Sequence, residues 1–275
     1  DHRDLHLSLR RQRQMCIRDS GKIAEEKLLE RFQKYVYDYR KVSTVLNYQY
    51  WMMMVFGPLT PRSLQFNKGE MIVRPWIEEF FVGKLQMRCS VVTNTENGST
   101  IIIDGGDEPE RIISWIEDWE GIGPDYSNGP VSKQMAIEQG IPKRNVIAFT
   151  NTHAHFDHTG MIPELLKKWD VPFWLHEGDH HLQSTAQESA ARWGFTIPEP
   201  ALPTDVWKDG QKYNFEGIEI DVFHTPGHSL GSVCLIIPDE EEPSHAFVGD
   251  VLFAGGVGRT DLPNSGGSCT LLENC

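Results

Sequence analysis

Nowhere in the 275 residues does an apolar run approach the roughly 20 residues that a membrane-crossing helix needs. The WMMMVF stretch at 51–56 is too short for that, and it reads as part of a buried or docking segment. Cysteine is scarce as well. Cys16, Cys89, Cys234, Cys269 and Cys275 form no CxxC pair and are odd in number. That argues against a disulfide framework or a zinc finger and points to a reducing, cytoplasmic setting. Positive charge is in deficit: 26 Lys and Arg against 39 Asp and Glu leave a net charge of −13. Such a field repels phosphates, so neither nucleic acid nor membrane is expected as a partner. It favours cations.

What remains is an ordinary globular composition, 39% hydrophobic and 24% charged, with length enough for a core that can bury a site. The two ends stand apart from it. Residues 1–20 carry five arginines, no lysine and no initiating methionine. Asp1, Asp4 and Asp19 do not suit a presequence, so this segment is expected to be non-native. Residues 21–74 form an N-terminal extension, with an amphipathic helix expected over 22–40 through Leu28, Phe32, Tyr35, Val36 and Tyr39. The regular domain is expected from 75 to 275, incomplete at its C-terminal end.

Within that domain, strands and helices alternate without an internal repeat, which reads as mixed α/β. CSVVTNTENGSTIIIDGG predicts a hairpin turning at Asn97-Gly98 between apolar runs at 91–92 and 101–103. A helix is expected over 108–119, with Pro109 at its first position and Ile112, Ile116 and Trp119 on one face. Residues 121–144 read as a surface excursion. Further strands are expected at 146–149, 172–175 and 218–223, and in VCLII and AFVGD, with helices near 161–169 and 178–193.

The densest chemistry lies in THAHFDHTG at 152–160. In an extended loop, side chains at i and i+2 share a side. His153 and His155 can then grip one metal, with Asp157 continuing the row, while His158 points elsewhere and suits a second metal. Two ions roughly 3.5–4 Å apart can share a hydroxide that is nucleophilic at neutral pH. Two distant segments strengthen this reading. HTPGHS at 224–229 sets His228 on a Pro-Gly turn, and FVGD at 247–250 ends a buried strand in Asp250, a carboxylate that is costly without a counter-charge. His153, His228 and Asp250 each follow the C-terminal end of an expected strand, the rim where ligand-binding loops gather.

THxHxDH, TPGHS and GD followed by LFAGGVGRTDLP together resemble the metallo-β-lactamase superfamily, most closely its glyoxalase II (hydroxyacylglutathione hydrolase) type, from about residue 75 onward. The resemblance implies an αββα sandwich with metals at one edge. It implies His153, His155 and His228 on a first ion, Asp157 and His158 on a second, and Asp250 bridging both. Zinc is the expected metal, with iron or manganese as alternatives. The implied reaction is hydrolysis of a glutathione thioester such as S-lactoylglutathione, with Asp157 and Asp250 orienting the hydroxide. The family adds one more second-site histidine from a PGHG-like segment beyond the bridging aspartate, and no histidine here stands in that place. Two rivals are a mononuclear iron persulfide dioxygenase using His153, His228 and Asp250, and a non-catalytic metal-binding protein of the same fold. Lactamase activity is the weakest reading.

Outside the cluster, His224 and His176 read as packing or supporting residues, His180 and His181 as solvated, and His245 as inert in a surface loop. Arg259 and Asp261 read as a structural ion pair. Cys234 reads as core.

Overall fold

A computed structural model describes residues 75–118, 142–238, 244–253 and 256–267. The expected helix at 22–40, the 51–56 stretch, Trp119, most of the 121–144 excursion and the acidic run 239–242 lie outside them.

Two sheets face each other. The first has six strands in the order β1 (Trp76–Val82), β2 (Met87–Thr93), β3 (Ser99–Ile103), β4 (Asn145–Thr150), β5 (Phe173–His176) and β6 (Asp205–Trp207). The first three are antiparallel neighbours and the rest run parallel. The second sheet runs β10 (His245–Phe247), β9 (Val233–Ile237), β8 (Ile218–His224), β7 (Lys212–Phe215), all antiparallel. Leu252–Phe253 and Gly256–Val257 form a small ribbon, β11 and β12.

A strand buried on both faces reads as a continuous apolar run, and β3 shows why. Ile101 and Ile103 point between the sheets toward Ile220, Val222 and Leu235. Ile102 points the other way, into a core closed by helix α1 (Pro109–Asp118) through Ile112, Trp115 and Ile116, and by α3 (Ile162–Lys168) through Leu165. Each such isoleucine contributes roughly 1.5–3 kcal/mol by leaving water, which ties helix layer, first sheet and second sheet into one unit. The mixed α/β sandwich is the expected one. Among the described residues no helix is long and apolar enough to cross a membrane.

Some local expectations need correction. The loop at 153–158 is not extended throughout: after His155, at φ −65° and ψ 148°, the chain enters helix α2 (Phe156–Thr159). The helix expected at 178–193 is broken into a 3-10 turn (Glu177–Asp179), α4 (His180–Ser184) and α5 (Ala186–Arg192), interrupted at Thr185, whose hydroxyl bonds back to the His181 carbonyl. The hairpin at 94–98 is longer than a two-residue Asn-Gly turn, closing through Asn94 N to Ser99 O at 2.8 Å. β1, β6 and β7 are not among the expected strands. His245 is not in a loop either: it opens β10, with Nε2 3.5 Å from Glu79.

At one end of the sandwich the β2–β3 and β7–β8 turns are clamped together. Asn94 and Asn97 both donate to the Glu216 carbonyl, at 2.8 and 2.9 Å, and Ser99 Oγ bonds to the Glu216 carboxylate. At the other end, the loops after β4, β8 and β10 converge, with Val233 N donating to Thr152 O at 2.9 Å.

Candidate metal centre

Four imidazoles meet at that second end. The ring centroid of His153 lies 4.7 Å from that of His155, 4.0 Å from His158 and 4.8 Å from His228, and His155 lies 4.5 Å from His228. Two overlapping groups of possible ligand atoms result, each with all atoms within 4.8 Å: His153, His155, His228, and His153, His158, Asp250. Asp250 stands between them, one oxygen 3.6 Å from His228 Nε2 and the other 3.6 Å from His158 Nε2. Five of the six residues singled out in the sequence therefore converge. Asp157 belongs to neither group; α2 turns it along the wall of the adjoining cavity, where its charge acts on His158.

The turn into α2 brings His158 beside His153, because one helical step after an extended residue reverses the side-chain direction that strand alternation would give. Gly106 makes room for it. A Cβ there would sit 2.1 Å from the Asp157 carbonyl oxygen and 2.3 Å from the His158 carbonyl carbon.

Hydrogen bonds set which nitrogen of each ring faces the centre. His228 Nδ1 donates to the Arg259 carbonyl at 2.8 Å, which leaves Nε2 as a lone pair. Thr152 donates both its N–H and its hydroxyl to Asp104, each at 2.8 Å, so its Oγ1 is left to accept from His153 Nδ1 at 3.2 Å. His153 Nε2 is then also a lone pair. His158 Nδ1 lies 3.2 Å from Asp104, turning its Nε2 toward Asp250.

His153, His158 and His228 are 1, 4 and 2% exposed, yet His153 Nε2 and His228 Nε2 have no hydrogen-bond partner within the protein. Leaving a buried polar atom unpaired costs about 1–3 kcal/mol. A cation accepting these lone pairs would remove that cost, so the residues fit a divalent metal.

The electrostatics separate the two halves of the cluster. Burial, then the neighbouring imidazoles, hold His153 and His155 well below the usual histidine range. Burial pushes His158 the same way, but the Asp104, Asp157 and Asp250 carboxylates outweigh it and hold this imidazole well above that range. For Asp250, burial acts upward and is overcome by the hydrogen bond and positive charge of His158, which hold its carboxyl well below the usual range. One half is neutral and nitrogen-rich, the other carries the negative charge. That division suits a softer first ion and a second ion with more oxygen around it.

A cavity of about 710 Å³ opens beside the cluster and is lined by His155, Asp157, His228 and Asp250. Phe156 and Leu182 also line it, as do the exposed Lys84 and Arg192. The volume is in the range of small-molecule sites.

The residues set aside lie where packing explains them. His224 stacks on His176 with centroids 4.0 Å apart and bonds the Leu230 carbonyl at 2.8 Å. His180 and His181 are exposed on α4. Arg259 and Asp261 form a two-pronged ion pair at 2.7 and 2.8 Å. Cys234 is buried in β9. Sequence reasoning passed over Asp104, Thr152 and Asp179, although IIIDGG ends a buried strand in a carboxylate just as FVGD does. The argument applied to Asp250 would have found Asp104.

The family described as "Metallo-beta-lactamase superfamily" matches residues 82–273. A Haemophilus influenzae protein called hydroxyacylglutathione hydrolase GloC is 33% identical over 190 residues, 68% of this chain and 76% of its own. A Bacillus subtilis probable metallo-hydrolase, YqgX, is 38% identical over 136 residues, 48% of this chain and 63% of its own. Among solved structures, TTHA1623 in a di-iron-bound form superposes with a TM-score of 0.54 at 31% identity, covering 72% of this chain and 83% of that one.

Proposed function

The chain belongs to the metallo-β-lactamase superfamily, and from that premise we propose that it hydrolyses a thioester, a hydroxyacylglutathione such as S-lactoylglutathione, with two divalent ions held by its histidine–aspartate cluster. The observation that carries this is the pair of ligand groups sharing His153, with Asp250 between them. His153, His155 and His228 would hold one ion; His158, Asp250 and Asp157 would hold the other, with Asp250 reaching both. Zinc is favoured, and the di-iron form of TTHA1623 keeps iron open. Such ions supply Lewis acidity toward the thioester carbonyl and toward water.

The chain's own residues do the rest. Asp250, ionised and aimed into the cluster, accepts a hydrogen bond from the attacking water and turns its lone pair toward the acyl carbon. Asp157, on the cavity side of α2, does the same from the opposite flank. The water oxygen bonds to that carbon, the carbon–sulfur bond breaks, and the thiol leaves with the displaced proton while a carboxylic acid remains. The exposed Lys84 and Arg192 line the cavity and would meet the carboxylates of a glutathione moiety, on a chain whose net charge is −13. The GloC relative supports the same substrate class.

The test is S-lactoylglutathione hydrolysis by zinc-loaded and iron-loaded protein. Turnover that disappears in Asp250→Ala supports the reading. Folded, metal-loaded protein without turnover, but with oxygen uptake on a glutathione persulfide, would replace it with the iron dioxygenase.

A further inference from the structure

Asp179 ends the 3-10 turn after β5 and is 1% exposed, yet it belongs to neither group of ligand atoms. Its carboxylate is fully engaged elsewhere. One oxygen accepts from Ala154 N at 2.8 Å and from Ser229 Oγ at 2.7 Å; the other accepts from Gly231 N at 2.6 Å. Ala154 sits between His153 and His155, and Ser229 follows His228. A single carboxylate thus ties together the two segments that carry the first three-histidine group.

Packing gives a second, independent sign that the turn carrying Asp179 and the turn after His228 are held in fixed register. A Cβ on Gly231 would fall 2.5 Å from Asp179 N and 2.7 Å from its Cγ, and a Cβ on Gly178 would fall 2.7 Å from the Leu230 carbonyl oxygen. The two turns meet through backbone atoms and the Asp179 side chain itself. Asp104 plays the matching part on the other flank, contacting Thr152 and His158.

Resting on the metal reading above, we infer that Asp179 is a positioning residue for the His153–His155–His228 site and not for the His158–Asp250 side, whereas Asp104 reaches both, His158 directly and His153 through Thr152. An ionised carboxylate can receive all three donors at once. An amide in its place has one acceptor oxygen and would turn an NH2 toward at least one of them. Partners behind metal ligands are worth about 10–100-fold in metal affinity.

The experiment is zinc titration of metal-stripped full chain against a chromophoric chelator, with cobalt absorption spectra as a second readout. Asp179→Asn should weaken one of two binding events about 10–100-fold, leave the other at its wild-type affinity, and shift the same cobalt bands as His155→Ala. In the His155→Ala background it should add little. Ser229→Ala, a milder change, should move the same event in the same direction and carries the test if Asp179→Asn does not fold. A variant that melts earlier but binds both ions as wild type does would overturn the inference, as would equal weakening of both. Wild-type protein that binds no ion would instead sink the metal reading beneath it.

Discussion

The two ends of the sandwich are built from the same materials to opposite effect. At one end Asn94, Asn97 and Ser99 close on Glu216, and each polar group in that clamp meets a partner across the two sheets. At the other, Asp104 and Asp179 satisfy the backbone just as fully, but the histidines they hold are left with nitrogens that nothing in the protein satisfies. A polar cluster that completes itself is a fastener. One that is rigidly supported and still incomplete is waiting for something, and here the missing partner has to accept lone pairs. Unsatisfied imidazole nitrogens gathered in one place therefore set the open end apart from the Glu216 clamp without reference to any relative.

The comparison can be broken most decisively at the open end. Asp250→Ala and His228→Ala should each cost at least one bound ion by elemental analysis and reduce thioester hydrolysis by more than the roughly 100-fold upper bound for supporting residues. Smaller but still marked losses should follow behind the ligands. Asp104→Asn is expected to weaken metal binding about 10–100-fold, and Gly106→Ala to destabilise the fold by about 1–3 kcal/mol through overpacking against the Asp157 and His158 carbonyls; chelator competition and denaturant melts would register each.

At the closed end the expectation reverses. Asn94→Ala should cost about 1 kcal/mol of stability and alter metal affinity not at all. A change in zinc binding there would erase the distinction drawn between the two ends. The smallest effect concerns His176, which burial, then the nearby His224, hold down to about 4. Its folded value lies below its unfolded one, so the unfolded chain binds the proton first, and stability should fall as pH drops from about 6.5 toward 4 and flatten below that. The ring is partly exposed, so after screening the loss is at most about 1 kcal/mol. Melts of stripped wild type and His176→Asn across that range should diverge only below neutrality.

Much of this could be read from residue order. The alternation of short apolar strands with helices reads as mixed α/β, the family resemblance implies the sandwich, and 101–103 reads as one apolar arm of a hairpin. His153, His155, His158, His228 and Asp250 announced themselves by spacing and by their places after strands. What stayed hidden depended on contacts distant in sequence. Asp179 is one aspartate among many until Gly231, 52 positions on, donates to it. The turn into α2 was missed because FDHT is too short to carry helical periodicity, and its conformation is fixed by Gly106 packing beneath it. β7 was missed because KYNF is only four residues long, so the alternation of Tyr213 and Phe215 with Lys212 and Asn214 is too brief to stand out.

His155 differs from the other three histidines in one respect: it is only partly buried, and it alone of the first group with His228 faces the large cavity. An outside chelator would reach an ion in that group from the cavity that His155 and His228 line. Affinity and lability would then be governed by different residues. The carboxylates behind the site would set how tightly the ion is held at equilibrium, and the side chains on the cavity side would set how fast it leaves.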